Sequence, residues 1–499
     1  MSTTGGRRRR AGGPRPGRSG WGVSSPDPDA ALTEEAIPAT SPSEVVLIED
    51  PVPTGGAIAP AELQRRAMSG SFWTGVHTIV SVPLAFVANI LVARVLGPAS
   101  FGSLTVLSML MGVAVIVTNA GVSDGVIQWG AAADAAGLPR RGDRLLGKSL
   151  GWHLGVQFPV LAVMVLVLGW GKGPLVVGAL LLAVLLPAAF GGAALSISIE
   201  NRTAAAARLT MLGNVALQLG VVLVAYLTVD AVSVWAARLC ILALLVPFNY
   251  LLIGGRRRRA ALRPRLPLGM PEGFWRFGLF GAGTAVIALL ATSRSEIFIL
   301  QLASGATTVG LFSVAFGLAA HITAPIDGIL APLIPAAAAL LATAPQKALP
   351  ALLRATRFSS LLCGLVTGVG LPVLVVLVPK MYGPSYSQAA AVLVPLGLSS
   401  CMSSVLNPVS AMLRARRLAG AMFAGTVASL VVDAALAFSL IPLVGLWGAV
   451  AANVAASVAI SAAFVRVELR ASGMALGALV GASRAWIVSL PALAAALGA

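Results

Sequence analysis

The feature that most constrains this chain is a succession of apolar runs, each about 20 residues long, that begins near residue 72 and continues to the C-terminal end. A helix of that length covers the roughly 30 Å hydrocarbon core of a bilayer. It also satisfies its own backbone hydrogen bonds, as a segment in lipid must. The runs read as spans at 72–95, 103–123, 147–169, 174–195, 208–228 and 231–252, then at 274–293, 307–331, 355–378, 388–409, 418–440 and 444–466. A last apolar stretch, 473–497, is interrupted by Arg484 and reads either as a thirteenth span or as an interfacial helix. Composition agrees: 57% of the residues are hydrophobic and 11% charged, against roughly a quarter charged in a soluble domain. The expected fold class is an all-α polytopic membrane protein with two six-helix bundles, twelve core spans and the open question of a thirteenth.

The basic residues test that count, because short cytoplasmic loops carry the excess of Lys and Arg. With the N-terminus in the cytoplasm, the inner connections hold Arg140, Arg141, Arg144 and Lys148, then Arg202 and Arg208, then the run Arg256 to Arg259 with Arg263 and Arg265. The second half continues with Lys347, Arg354 and Arg357, with Arg414, Arg416 and Arg417, and with Arg466 and Arg470. The outer connections contain little beyond Lys172 and Lys380, with Arg94 and Arg294 near helix ends. A missed span would break the alternation. The expected organisation is therefore a disordered cytoplasmic tail at 1–62, a bundle at 63–253, a basic linker at 254–271, a second bundle at 272–470 and an additional hydrophobic segment at 471–499. The tail is rich in Gly, Pro, Ser and Arg and cannot bury enough apolar surface to fold. No early apolar region reads as a cleaved signal.

A net charge of +17 would suit nucleic acid, but its placement in short clusters between apolar runs is that of topology-setting charge. Cys240, Cys363 and Cys401 lie in apolar runs without pairing or metal spacing, and His77, His153 and His321 are dispersed. No nucleophile elbow, phosphate-cradling glycine loop or zinc pattern is present in the sequence. The expectation is a protein that is not an enzyme, has no cofactor or metal, and acts within or across the bilayer.

The 254–271 linker divides the spans six and six, and the halves echo one another. Gly97 and Gly102 bracket the first outer turn, and Gly305 and Gly310, with the same spacing, bracket its counterpart. Parallel repeats would be related by an axis along the membrane normal and could rock about a central cavity. Prolines interrupt several spans, with Pro325, Pro332 and Pro335 around the eighth and Pro395 and Pro408 in the tenth, which makes these the expected bending elements. The stretch 124–145 is too polar to span and reads as an interfacial segment with Trp129 at headgroup depth.

A polar or charged group in hydrocarbon faces a cavity or a partner. The candidates are Asn89, Arg94, Asn119, Asp124, Arg238, Arg294, Glu296, His321, Asp327, Asn407, Asp433 and Asn453. Arg94 and Arg294 either snorkel to the outer headgroups or line a cavity for an anionic substrate. Arg238, deeper in its span, reads as a cavity residue or a salt-bridge partner. Arg294 and Glu296 form an alternative ion pair. His321 and Asp327, six residues apart, and Glu296 are candidates for coupling or gating. Asn89, Asn119, Asn407, Asp433 and Asn453 are polar cavity candidates. Asp124 is expected to pair with Arg140 or Arg141.

The passages ANILVARVLGPASFGSLTVLS (88–108), NAGVSDGVIQW (119–129), SRSEIFILQLASGATTVGLFSVA (293–315), PKMYGPSYSQAAAVLVPLGLSS (379–400), LNPVSAMLRARRLAG (406–420) and LIPLVGLWGAVAANVAAS (440–457) resemble the polysaccharide biosynthesis flippases of the MOP superfamily. That superfamily also contains the MATE exporters and the lipid II flippases. The resemblance covers about residues 66–466. It implies translocation of an undecaprenyl-diphosphate-linked oligosaccharide by alternating access, coupled to H+, Na+ or the membrane potential. It also implies cationic cavity residues at Arg94 and Arg294, to which depth adds Arg238. Many relatives carry an aspartate with an arginine where Arg294-Ser295-Glu296 stands, so the acid and the order differ here. The implied partners are the polyprenyl-linked glycan, membrane lipids and polysaccharide biosynthesis enzymes, in the cytoplasmic membrane. Rival readings are an ion-coupled exporter of amphipathic cations, which predicts acids deep in the cavity, a lipid II flippase, and a membrane-embedded transferase, which would need an outer loop or an acid-base cluster.

Overall fold

The computed structural model describes residues 60–498 except 201–202, 292–293, 331–332, 334–336, 338–339, 342–343 and 417, with most side chains from Val80 onward. The expected disordered tail at 1–62 lies, but for its last residues, outside the described residues.

Every regular element among the described residues is a helix, and ten helices are long and apolar enough to cross a membrane. Their outward faces are apolar: Val163, Leu219, Val431 and Phe438 are each about 60% exposed or more, a surface that only lipid tolerates over so wide an area. The first sequence span and all but the last four residues of the second fall within one element, α1 (Pro60–Asn119), which is broken at Gly97 with φ +73°. A side chain disfavours that backbone region. Pro98, which lacks an N–H, starts the second segment at no cost in hydrogen bonding. α2 (Val122–Ala135) follows. It buries Val122 and Val126 completely and sets Trp129 against the rings of Phe274 and Phe277. The stretch expected at the interface is thus in part a packed helix.

The third span runs through α3 (Pro139–Trp152), a π turn at His153–Gln157 and α4 (Phe158–Leu168). α5 (Pro174–Phe190), α6 (Gly192–Ile199), α7 (Thr203–Thr228) and α8 (Ala231–Leu245) complete the first half. After the short α9 (Gly255–Ala261) come α10 (Phe274–Ala291), α11 (Arg294–Ala303) and α12 (Gly305–Leu330). Then follow α13 (Ala348–Leu365), a second π turn at Val366–Gly370, α14 (Leu371–Tyr382), α15 (Ser387–Val405) and α16 (Asn407–Ala415). α17 (Ala419–Val444) and α18 (Leu446–Ser472) pack along each other.

The internal echo takes physical form in two places. A Cβ on Gly102 would lie 1.8 Å from the Ala306 carbonyl oxygen and 2.8 Å from the Gly310 nitrogen, and one on Gly310 would lie 2.0 Å from the Pro98 carbonyl oxygen. The two turns therefore meet reciprocally, as a local two-fold arrangement requires. The two π turns are the second place. Each carries a Gly-Val-X-Phe/Leu-Pro sequence, at Gly155–Pro159 and Gly368–Pro372, and a widened turn absorbs the proline's missing donor.

The basic linker is docked. Tyr250 donates to the Ala261 carbonyl at 3.2 Å, and the Arg265 N–H donates to the Gly147 carbonyl at 2.9 Å. Gly151 admits the chain so closely that a Cβ would sit 1.9 Å from the Arg265 carbonyl oxygen. Arg257, 4% exposed, faces Asp134, Asp143 at 3.4 Å and Glu200 at 3.7 Å.

The last apolar stretch is not one helix. Gly473 ends α18 at φ +67°, and α19 (Leu476–Ala482) and α20 (Arg484–Gly498) follow. α20 lies on α13: the Trp486 N–H donates to Ser360 Oγ at 2.9 Å, and its indole N–H donates to Thr367 Oγ1 at 3.0 Å.

Candidate functional site: a cavity between the halves

Residues on either side of Gly97 line one cavity of about 520 Å³: Ala85, Asn89 and Val92 from the first segment of α1, and Thr105, Ser108 and Gly112 from the second. Both segments of α1 thus border the same cavity. α7 adds Gln218, α8 adds Arg238, α10 and α11 add Leu289 and Ile297, and α12 adds Phe312, Ser313, Phe316 and His321. Both halves of the chain thus contribute, and α12 is the helix most deeply packed against α1 from the second half.

Its polar groups are few and placed. His321 Nδ1 lies 2.6 Å from the Gly317 carbonyl oxygen, which fixes Nδ1–H as the donor and leaves Nε2 for other contacts. The His321 ring packs 5.6 Å from that of Phe86. Ser313 Oγ is buried without a hydrogen-bond partner. No carboxylate lines this cavity among the described residues.

Of the sequence candidates, Asn89, Arg238 and His321 meet here. Arg94 is exposed and is not among the lining residues. The side chain of Arg294 lies outside the described residues. Thr105, Ser108, Gln218 and Ser313 also line the cavity and went unnoticed in the sequence. The spacing of Thr105, Ser108 and Gly112, three and four residues apart, would have put them on one helical face.

Glu296, Asp433 and Asn453 come together elsewhere, at the junction of α11, α17 and α18. Asn453 Nδ2 donates to Glu296 Oε1 at 2.9 Å. Ser295 Oγ lies 3.1 Å from Glu296 Oε2 and is also hydrogen-bonded to Asp433 Oδ2. Both carboxyls are buried, at 0% and 1% exposure, and Asp433 Oδ1 has no hydrogen-bond partner among the described residues.

Asp327 is a joint between helices, accepting from Ser404 Oγ at 2.8 Å and Asn407 Nδ2 at 2.7 Å. Asn119 Oδ1 accepts from Ser123 Oγ at 2.8 Å and lies 3.3 Å from His153 Nε2. Both line a second cavity of about 380 Å³ with Asp124 and Gln157. Asp124 is exposed and makes no ion pair with Arg140 or Arg141 among the described residues, contrary to expectation: it faces this cavity instead. Among the described residues no group of three or more His, Cys, Asp or Glu side chains is placed to hold a metal ion.

The model of the polysaccharide biosynthesis protein family matches residues 67–340, more than half of the chain. The chain belongs to this family. Solved structures share its fold. An inward-facing multidrug resistance MATE family transporter of the MOP superfamily aligns with TM-score 0.60 at 16% identity, over 80% of this chain and 98% of that one. The lipid II flippase MurJ in an inward closed conformation aligns with TM-score 0.61 at 11% identity, over 83% of this chain and 91% of that one. No curated protein sequence matches the chain. This member of the polysaccharide biosynthesis protein family is a multi-pass membrane protein.

Proposed function

We propose that this transporter flips a lipid-linked, negatively charged glycan, of the undecaprenyl-diphosphate-linked oligosaccharide class, across the cytoplasmic membrane by alternating access. The observation that carries this reading is the cavity between the halves, which presents Arg238 and His321 and, among the described residues, no carboxylate. A guanidinium engages phosphate oxygens through its fork of donors. At about 520 Å³ the cavity suits a diphosphate with its first sugar, while the polyprenyl tail stays in lipid and the rest of the glycan extends beyond. No bond is made or broken.

The architecture that goes with this reading is two six-helix bundles, twelve spans in all, with the N-terminus in the cytoplasm. The break at Gly97 supplies the second of the twelve spans, and α10 with α11 supplies the seventh. The Glu296 and Asp433 pair is the coupling element, taking up and releasing a proton or sodium ion as α11 moves against α17. Arg94 and Arg294 serve the substrate near the outer end.

The test is complementation of a deletion strain, scored by lipid-linked oligosaccharide accumulating on the cytoplasmic leaflet. Arg238→Ala is expected to accumulate substrate with wild-type protein levels. Full complementation by Arg94→Ala, Arg238→Ala and Arg294→Ala, each made singly, would sink the cationic-cavity reading. A second reading, an ion-coupled exporter of small amphipathic molecules, is favoured by the buried carboxyl pair and the MATE-like fold. It predicts that the deletion leaves lipid-linked glycan unchanged and sensitises cells to cationic dyes.

A further inference from the structure

The basic linker and the start of the third span enclose a second charged feature, separate from the transport cavity. Arg140 and Arg144 of α3 face Arg256 and Arg259 of α9 and the following Arg263 and Arg265 around a pocket of about 470 Å³. One carboxylate, Asp143, is among the lining residues, and it is engaged by Arg256 at 3.0 Å and Arg257 at 3.4 Å. The other five lining arginines have no carboxylate partner among the described residues.

Charge that serves only to orient a chain in the membrane can splay into water. This charge is held in a concave arrangement. Arg257 anchors α9 through Asp134, Asp143 and Glu200, and Gly147 and Gly151 let the 263–265 backbone lie on α3. Guanidinium groups gathered around one open pocket focus positive potential there, and their planar forks match phosphate oxygens. The same linker exposes Leu262, Leu266 and Leu268, the last two at 75% and 71%. Exposed leucines beside a basic pocket, where α3 begins its course into the membrane, describe a surface seated in the headgroup layer. A soluble phosphate would have no use for them.

We infer that the pocket formed by α3 and the linker binds the phosphate of an acidic phospholipid headgroup, with Leu266 and Leu268 dipping toward its acyl chains. The bound lipid ties the linker between the halves to the bilayer surface. The inference stands whichever substrate the central cavity carries.

The experiment titrates the purified full chain in neutral detergent with short-chain phosphatidylglycerol, short-chain phosphatidylcholine or inorganic diphosphate, following the thermal midpoint, since a ligand specific to the folded state raises it with the logarithm of its concentration above Kd. Phosphatidylglycerol is expected to raise the midpoint, and phosphatidylcholine is not. The triple variant Arg144→Gln/Arg259→Gln/Arg263→Gln should weaken the apparent phosphatidylglycerol affinity at least about tenfold, and Leu266→Ser/Leu268→Ser should weaken it without altering any response to diphosphate. Should the triple variant fail to fold, Arg263→Gln alone is expected to weaken binding about threefold. Wild-type affinity in the arginine variants would overturn the site. Diphosphate binding as tightly as phosphatidylglycerol, with the leucine variant unaffected, would overturn the lipid assignment.

Discussion

Arg257 is a costly position to truncate. Its guanidinium is nearly buried and faces three carboxylates, so truncation leaves uncompensated negative charge in a confined space. Breaking such a pair by removing one partner costs about 3–5 kcal/mol. Arg257→Ala should therefore lower the thermal midpoint by several degrees, and adding Asp143→Asn should recover part of the loss; equal midpoints for Arg257→Ala and wild type would remove the anchor. Asp230 offers a pH-dependent counterpart at the turn between α7 and α8. Partial burial alone would raise its pKa, but hydrogen bonds from Lys172 at 2.9 Å and from the Ser233 backbone and hydroxyl outweigh it and hold the carboxyl below the usual carboxylate range. A depressed pKa contributes stability that is present above the unfolded-state value and disappears as pH falls through the folded one. Asp230→Ala also removes the N-cap of α8, at about 0.5–2 kcal/mol. Its destabilisation, read as a melting difference from wild type, should be full at neutral pH and shrink below about pH 4.

At the scale of elements, glycine contacts decide which helices meet. Gly102 and Gly310 let two turns approach with no room for a Cβ, and a side chain at either position must separate the halves at that end. Gly102→Leu is expected to fold, because α1 gains a good helix former, yet to abolish transport and to increase the accessibility of a cysteine placed at Ser108 to a reagent added from the outer side. Unchanged transport would mean that the turns do not close the cavity there. The π turns belong to the same scale. Phe158→Ala tests packing, whereas Pro159→Ala restores a donor and should let His153–Gln157 tighten toward ordinary helix, moving Gln157 against the second cavity. The sequence announces these kinks through proline but not their form, because a widened turn depends on what the neighbouring helices leave free.

Across the whole molecule, the orientation prediction is testable with a reporter inserted at 254–265: a cytoplasmic signal is expected, and an outside signal would overturn the proposed topology and the side on which the arginine pocket meets lipid. Much of the fold is legible in the sequence because lipid imposes a one-dimensional rule. Each span must be apolar and about 20 residues long, so the ranges 174–195 and 208–228 lie within the helices at Pro174–Ile199 and Ala207–Thr228, and 444–466 overlaps Leu446–Ser472 in all but its first two residues. The single break at Gly97 and the division of 473–497 into α19 and α20 follow from local glycine and polar interruptions that also stand in the sequence. The site is less legible. Asn89, Arg238 and His321 share a cavity, whereas Glu296, Asp433 and Asn453 form a buried group apart from it. Intramembrane polarity marks each residue as costly but does not say which face of which helix it shares. The sequence by itself determined the helical class, the presence of many apolar helices long enough to cross a membrane and the placement of basic charge, because these follow from the solvation of each segment alone. Only the tertiary structure decided which polar groups meet, that the linker docks on α3, and that the two glycine turns close on each other, because those depend on contacts between segments hundreds of residues apart.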